Sequence, residues 1–424
     1  MTAGPDHAVD PLFQESIVQD PYPYFDDLRR ADPVHEIVGT GSFLVTSMAL
    51  VREVATRLDD FSSNNASFLH IDPSRMPIMA GYGVSDADAA AAGGGVLATA
   101  DGAIHRRQRK VVMRKFSTAQ MDAFESQFEA LAEAALDWHL PSGRVEWMAE
   151  VADPLPNVVL ARVLGLPDDT APLLRSAGFG SVERINGFIT PERSAEIDAA
   201  VGEAMTLVVS EYERAKRDPG PSDDSMLGIL AAAVDAGELS DAEALGTMVL
   251  LISAGGESTS SLTGNAAHLL AIDKVSQDRL RQRPDLLPTY VDEALRIEPS
   301  FRGHYRVANR DTTIGSTTIP AGSRVILAWG AANHDPEAYE DPVRVDLDRV
   351  NPRNHVGFGW GVHLCVGAPL ARVEARAALR VLLRRTTRFS LASDFEGPRY
   401  HKSLMIRRLI DLPLALELPR RAAP

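Results

Sequence analysis

From residue 117 to residue 140, apolar side chains return every three to four positions, and the spacing predicts one amphipathic helix with Ser117 or Thr118 as its N-cap. Residues 101–115 are also helical in pattern, and densely basic. Residues 240–274 contain no proline and open Ser240-Asp241-Ala242-Glu243, where a hydroxyl and a carboxylate can each cover an orphan backbone donor. At 1.5 Å per residue such a helix runs about 50 Å, so it has to cross the core. Further helices are expected over 284–296 and 372–385, the latter approached through Ala368-Pro369. Strand patterns are sparse: Thr312-Thr313-Ile314, Thr317-Thr318-Ile319 and Val325-Ile326-Leu327. Asp20-Pro21-Tyr22-Pro23 reads as a turn into a short helix, 64–95 as a long loop, and 217–224 as a polar turn. The expected architecture is mainly α with a minor β region, one domain over 1–424 with a flexible 1–19.

Composition narrows the function. Lys and Arg total 43 against 58 Asp and Glu, a formal charge of −15 over 424 residues. A polyanion is repelled by such a chain, so nucleic acid is not expected as a partner. The N-terminus lacks a basic segment followed by an apolar run, and no stretch approaches the roughly 18–20 apolar residues of a membrane span. With a single cysteine, Cys365, there is no intrachain disulfide. The expectation is a soluble, cytoplasmic monomer.

That cysteine sits in Phe358-Gly359-Trp360-Gly361-Val362-His363-Leu364-Cys365-Val366-Gly367, directly before a helix. Glycines allow tight turns and close approach to a flat ligand. Loop amides and a helix N-terminus favour a thiolate, as a metal ligand requires. A buried structural cysteine and a nucleophile served by His363 are the rival readings. Elsewhere, Glu293 and Arg296 share a helix face at i, i+3. Ala254-Gly255-Gly256-Glu257-Ser258-Thr259 puts two glycines mid-helix, costing roughly 1 kcal/mol each, beside an acid and two hydroxyls that can distort the helix.

Phe358, Gly361, His363, Cys365 and Gly367 match the signature Phe-x-x-Gly-x-[Arg/His]-x-Cys-x-Gly, and the chain from about residue 20 to 418 resembles the cytochrome P450 haem-thiolate monooxygenases of the soluble bacterial type. The resemblance implies haem b, one per chain, held between the long helix and the cysteine loop, with Cys365 as iron ligand. It implies that Phe358, Gly359 and Gly367 shape the haem loop, and that His105, Arg109, Arg306 and His355 meet the haem propionates. Glu257 and Ser258, with Thr259 sharing the role, would relay protons to dioxygen; threonine is commoner at the Ser258 position. Glu293 and Arg296, completed by Arg349, would form a buried scaffold. Val96, Leu97, Leu250, Ala254, Arg302, Gly303, His304 and Leu404 would line the substrate pocket, where Arg302 and His304 are unexpectedly polar and either anchor a polar group on the substrate or turn to solvent or the propionates. Two departures are His334, where the family has Arg, and a bulky Trp360.

The implied reaction is hydroxylation of a small apolar organic molecule by O2, with electrons from NAD(P)H through a ferredoxin reductase and a ferredoxin. Arg106, Arg107, Arg109, Lys110, Arg114 and Lys115 place six cations in ten positions of an acidic chain, a candidate docking face for an acidic ferredoxin. A peroxide-driven peroxygenase usually lacks the acid–alcohol pair. A non-catalytic haem-binding protein needs no proton relay, and a cysteine hydrolase has no chromophore.

Overall fold

The computed structural model describes residues 10–64, 95–185, 190–218 and 224–419. The expected 64–95 loop and 217–224 turn therefore lie largely outside the described residues. The helix expected over 240–274 runs Asp241–Ile272. Both halves of its cap form: Glu243 N–H donates to Ser240 Oγ at 3.2 Å and Ser240 N–H to Glu243 Oε2 at 2.9 Å. It ends where Asp273 turns its carboxylate to the first turn of the next helix, Lys274–Gln282. Most of its C-terminal half is buried. Helices Pro154–Leu164, Ala171–Ile185, Leu287–Ile297 and Ala368–Arg385 pack against it. Gly178 permits one of these contacts, because a Cβ there would lie 2.7 Å from the Ile252 carbonyl oxygen.

Ten strands are described: β1 (Val34–Ile37), β2 (Ser42–Val45), β3 (Phe61–Ser62), β4 (Arg144–Glu146), β5 (His304–Ala308), β6 (Thr312–Ile314), β7 (Thr317–Ile319), β8 (Arg324–Leu327), β9 (Arg388–Leu391) and β10 (Pro413–Glu417). They make a five-stranded sheet ordered β1-β2-β8-β5-β3, a three-stranded sheet β4-β10-β9 and the hairpin β6-β7. Alternation gives the larger sheet two distinct faces. Phe43, Val45, Val325 and Leu327 pack with Trp329 and Val356 on one. Ile37, Leu44 and Ile326 pack with Leu12, Phe25 and Leu404 on the other.

Three expectations change. The 117–140 helix is two, Thr118–Asp122 and Glu125–Asp137, separated by a tightened turn in which Phe124 N–H reaches Met121 O at 3.0 Å. The basic helix is shorter, Gly102–Val112. Residues 10–19, expected to be flexible, form a 3-10 turn and a short helix that bury Leu12 and Val18, and Gln19 exchanges hydrogen bonds with the Tyr400 backbone at 2.9 Å each way.

Candidate active site

The cysteine loop turns on Gly359 and Gly361, both at positive φ (77° and 72°). Cys365 N–H closes it on Phe358 O at 2.9 Å, and the Ala368–Arg385 helix starts immediately behind. The thiol is accessible, yet it sits in a recess whose desolvation raises its pKa; the amides of Gly367 and Ala368 and the charges of Arg109 and Arg372 pull the other way without winning. Loop and helix were expected to lower the thiol pKa. They supply the donors, but burial outweighs them and the net shift is upward.

Beside the loop lies a cluster of cationic and imidazole groups drawn from separate elements. His105 and His363 pack with ring centroids 4.1 Å apart. Arg306 is 5% exposed, its one described hydrogen bond goes to the carbonyl of Tyr305 (2.8 Å), and among the described residues no carboxylate pairs with it. Burial pushes Arg306 down to about 10 and His105 to about 4, the latter aided by His363 and Arg109. His304, expected on the pocket wall, shares the strand face of Arg306; Trp329 donates to its Nδ1 at 2.9 Å, and burial with the Arg306 charge holds it at about 4. Asp101 is the nearby acid, 3.8 Å from His363. Burial alone would raise its pKa; His363, the Ser62 hydroxyl and the Ser63 amide hold it at about 2.

His355 does not join this cluster. Its Nδ1 accepts from Gly357 N–H at 3.0 Å, so its Nε2 proton goes to Asp292 Oδ1 at 3.1 Å, and both ring nitrogens are committed. Asp292 also receives Arg372 at 2.8 Å, and that guanidinium lies 4.5 Å over the Phe358 ring. His355 thus props the loop from behind. His363, two residues before the cysteine, lies in the cluster where His355 was expected; the motif's Arg/His position was the available signal. Glu293 holds Arg296 through two bonds (2.8 and 3.0 Å) and Arg349 through one (2.8 Å), all three side chains being nearly or fully buried. His334 stacks on Tyr22 at 4.1 Å, and Trp360 lies under Arg52 at 4.0 Å.

On the long helix, Gly246, Leu250, Ala254 and Ser258 follow at steps of four and stay partly or fully accessible. Val96 approaches this stripe at Gly246, where a Cβ would meet it at 2.9 Å. Leu97 is buried at φ 44°, its amide bonded to Gln108 at 2.6 Å. Ser258 Oγ donates back to Ala254 O at 2.6 Å, while Thr259 is buried on the other side. Glu257 is buried; burial raises its pKa to about 7 against the lowering effect of Arg408, 3.3 Å from Oε1, and Oε2 has no partner. Arg408 also binds Asp153 (3.1 and 3.3 Å), which takes Arg175 at 2.9 Å and the Ser260 hydroxyl. Nothing in the spacing of Arg408 or Asp153 announced them.

Arg302, Gly303 and Leu404 depart from expectation. They line a cleft on the other face of the sheet, among Leu12, Leu44 and Ile326. Arg302 reaches neither solvent nor the His105 cluster; its Nη2 donates to Val18 O at 2.5 Å.

A recessed thiol backed by amides, next to a buried Arg306 without an ion-pair partner among the described residues, the half-buried Arg109 and two packed imidazoles, suits a planar metal cofactor bearing two acidic groups. Fold and site together define a haem-thiolate protein. The family model for cytochrome P450 matches residues 190–405, and the chain belongs to that family: it is a haem-binding monooxygenase. Cytochrome P450 144 of Mycobacterium tuberculosis is 37% identical over 96% of this chain and 91% of its own length. The 6-deoxyerythronolide B hydroxylase of Saccharopolyspora erythraea is 32% identical, covering 76% and 78%. Among solved structures, CalO2 superposes with a TM-score of 0.83 at 27% identity, covering 97% of this chain and 99% of that one. Among the described residues, no helix is long and apolar enough to cross a membrane.

Proposed function

We propose that the chain hydroxylates a small apolar organic substrate, with Cys365 as the haem ligand and electrons delivered by a ferredoxin. Haem supplies the iron that takes up electrons and activates dioxygen. The chain's own residues do the rest. Arg306, Arg109, His105 and His363 would hold the propionates, neutralising a charge that burial otherwise makes costly. The stripe of Leu250 and Ala254 offers apolar contact to a substrate. Glu257 is suited to pass a proton toward the Ser258 hydroxyl, because a carboxyl near neutrality both gives and regains one. The observation that carries this reading is the accessible thiol beside Arg306, a buried cation that makes no ion pair among the described residues.

Three of the six cations proposed to dock the donor are paired within the chain. Arg107 pairs with Glu243, Arg114 pairs with Glu238 at 2.6 Å, and Lys115 is buried against Asp224 at 3.2 Å. Arg106 and Lys110 stay exposed, and these are the cations left for an acidic donor. The test is an optical titration for compounds that shift the iron spin state, followed by turnover with NADH, a reductase and a ferredoxin. A hydroxylated product supports the reading. Turnover that needs only peroxide, or none with any compound that shifts the spectrum, refutes it.

A further inference from the structure

The cleft beneath the N-terminal segment has a volume of about 120 Å³ and is lined mainly by apolar side chains. Its floor is one face of the large sheet, Leu44 of β2, Tyr305 of β5 and Ile326 of β8, which occupy neighbouring register positions. Its cover is Leu12, Phe13 and Ile17. The opposite sheet face carries Val325, Leu327 and Arg306 and belongs to the haem side. The cleft is therefore a separate compartment from the candidate active site.

One charged group in its wall is unanswered. Arg302 is 7% exposed, and its guanidinium donates only to two carbonyls, Val18 O at 2.5 Å and Ile406 O at 3.4 Å. No carboxylate of the described residues forms an ion pair with it. Its strongest charged neighbour is another cation, Arg407, whose own positive charge is taken up by Glu298. Burial lowers its pKa to about 10, still high enough to keep it charged at neutral pH. A buried cation without a counter-ion is unfavourable. Arg306 presents the same anomaly on the opposite sheet face, where a haem propionate would answer it. Among the described residues, no carboxylate pairs with Arg302.

We propose that this cleft binds an apolar monocarboxylate, a medium-chain fatty acid anion whose carboxylate pairs with Arg302 and whose chain lies among Leu12, Leu44, Ile326 and Leu404. Planar guanidinium and carboxylate match in shape as well as charge. A neutral alkane would leave the cation unpaired, and a small inorganic anion would leave the apolar lining unused. The site does not depend on the reaction at Cys365.

The experiment uses the holoenzyme with its haem pocket blocked by a tight azole, followed by calorimetric titration with octanoate. One octanoate per chain is expected, with octanol at least tenfold weaker and acetate without detectable heat. Arg302→Gln should weaken octanoate at least tenfold and Arg302→Lys much less, with haem content and azole affinity unchanged. Leu12→Trp, which fills the cleft from its cover, should abolish binding with Arg302 in place. Absence of an octanoate site in the blocked enzyme, equal affinity of Arg302→Gln, or unchanged binding by Leu12→Trp would each overturn the proposal. Should the chain show no azole-dependent spectrum, the haem reading fails by itself, and the octanoate titration on the unblocked chain still decides this one.

Discussion

Glu257 is the residue whose protonation the fold perturbs most usefully. Its carboxyl is raised to about 7 from 4.5 because burial outweighs Arg408. Between those values the folded chain holds a proton that the unfolded chain has released, so stability falls as pH rises through this window and levels off above it. Glu257→Gln should therefore match the parent near pH 4 and exceed it near pH 8 by on the order of 3 kcal/mol, read from denaturant midpoints at both pH values. The same variant should slow product formation by roughly 100-fold while haem content stays normal; undiminished turnover would count against the proton route. Reading residue identity worked where chemistry sits in a fixed motif. The Glu293–Arg296–Arg349 group forms as its motif implied, and Cys365 and Glu257 were singled out from motifs of the same kind. The placement of His355 and Arg302 was not legible, because a side chain's direction depends on partners far away in sequence, Asp292 for one and Val18 for the other.

Among elements, the long helix was readable from its cap and its lack of proline. Losing that cap by Ser240→Ala should cost about 1 kcal/mol, measurable as a lower unfolding midpoint. Gly178→Ala drives a Cβ onto the Ile252 backbone carbonyl, a contact that has no flexible side chain to yield. It should cost roughly 1–3 kcal/mol and loosen the helix Ala171–Ile185. Such packing helices were invisible in the pattern. Pro154–Leu164 buries eight of its eleven residues, so no polar stripe alternates with an apolar one. Short strands such as β3 and β4 are made by pairing with distant partners, β5 and β10, and carry too few residues to show a period of two. Leu250 and Ala254 were expected at the pocket from the sequence, and Ser258 at the proton relay, and the structure adds Gly246 to the same partly accessible stripe.

At the scale of the whole molecule, mainly-α architecture with a minor sheet followed from the long prolines-free helix and the few β-rich triplets, while the layering of the sheet between two separate compartments did not. Net charge was legible, but its local distribution was not: Glu243, Glu238 and Asp224 neutralise half of the basic cluster from other elements. Reversing Arg106 and Lys110 together to Glu should raise the ferredoxin concentration needed for half-maximal turnover at low ionic strength, with the difference fading at high salt. An effect independent of salt would place docking elsewhere. The central claim concerns the sulfur of Cys365, and the spectrum of the reduced, carbon monoxide-treated protein addresses it most directly. The parent should display the band of a thiolate-ligated haem and Cys365→His should lose it while still binding haem. A colourless parent, or one whose spectrum shows nitrogen in place of sulfur, would contradict the account.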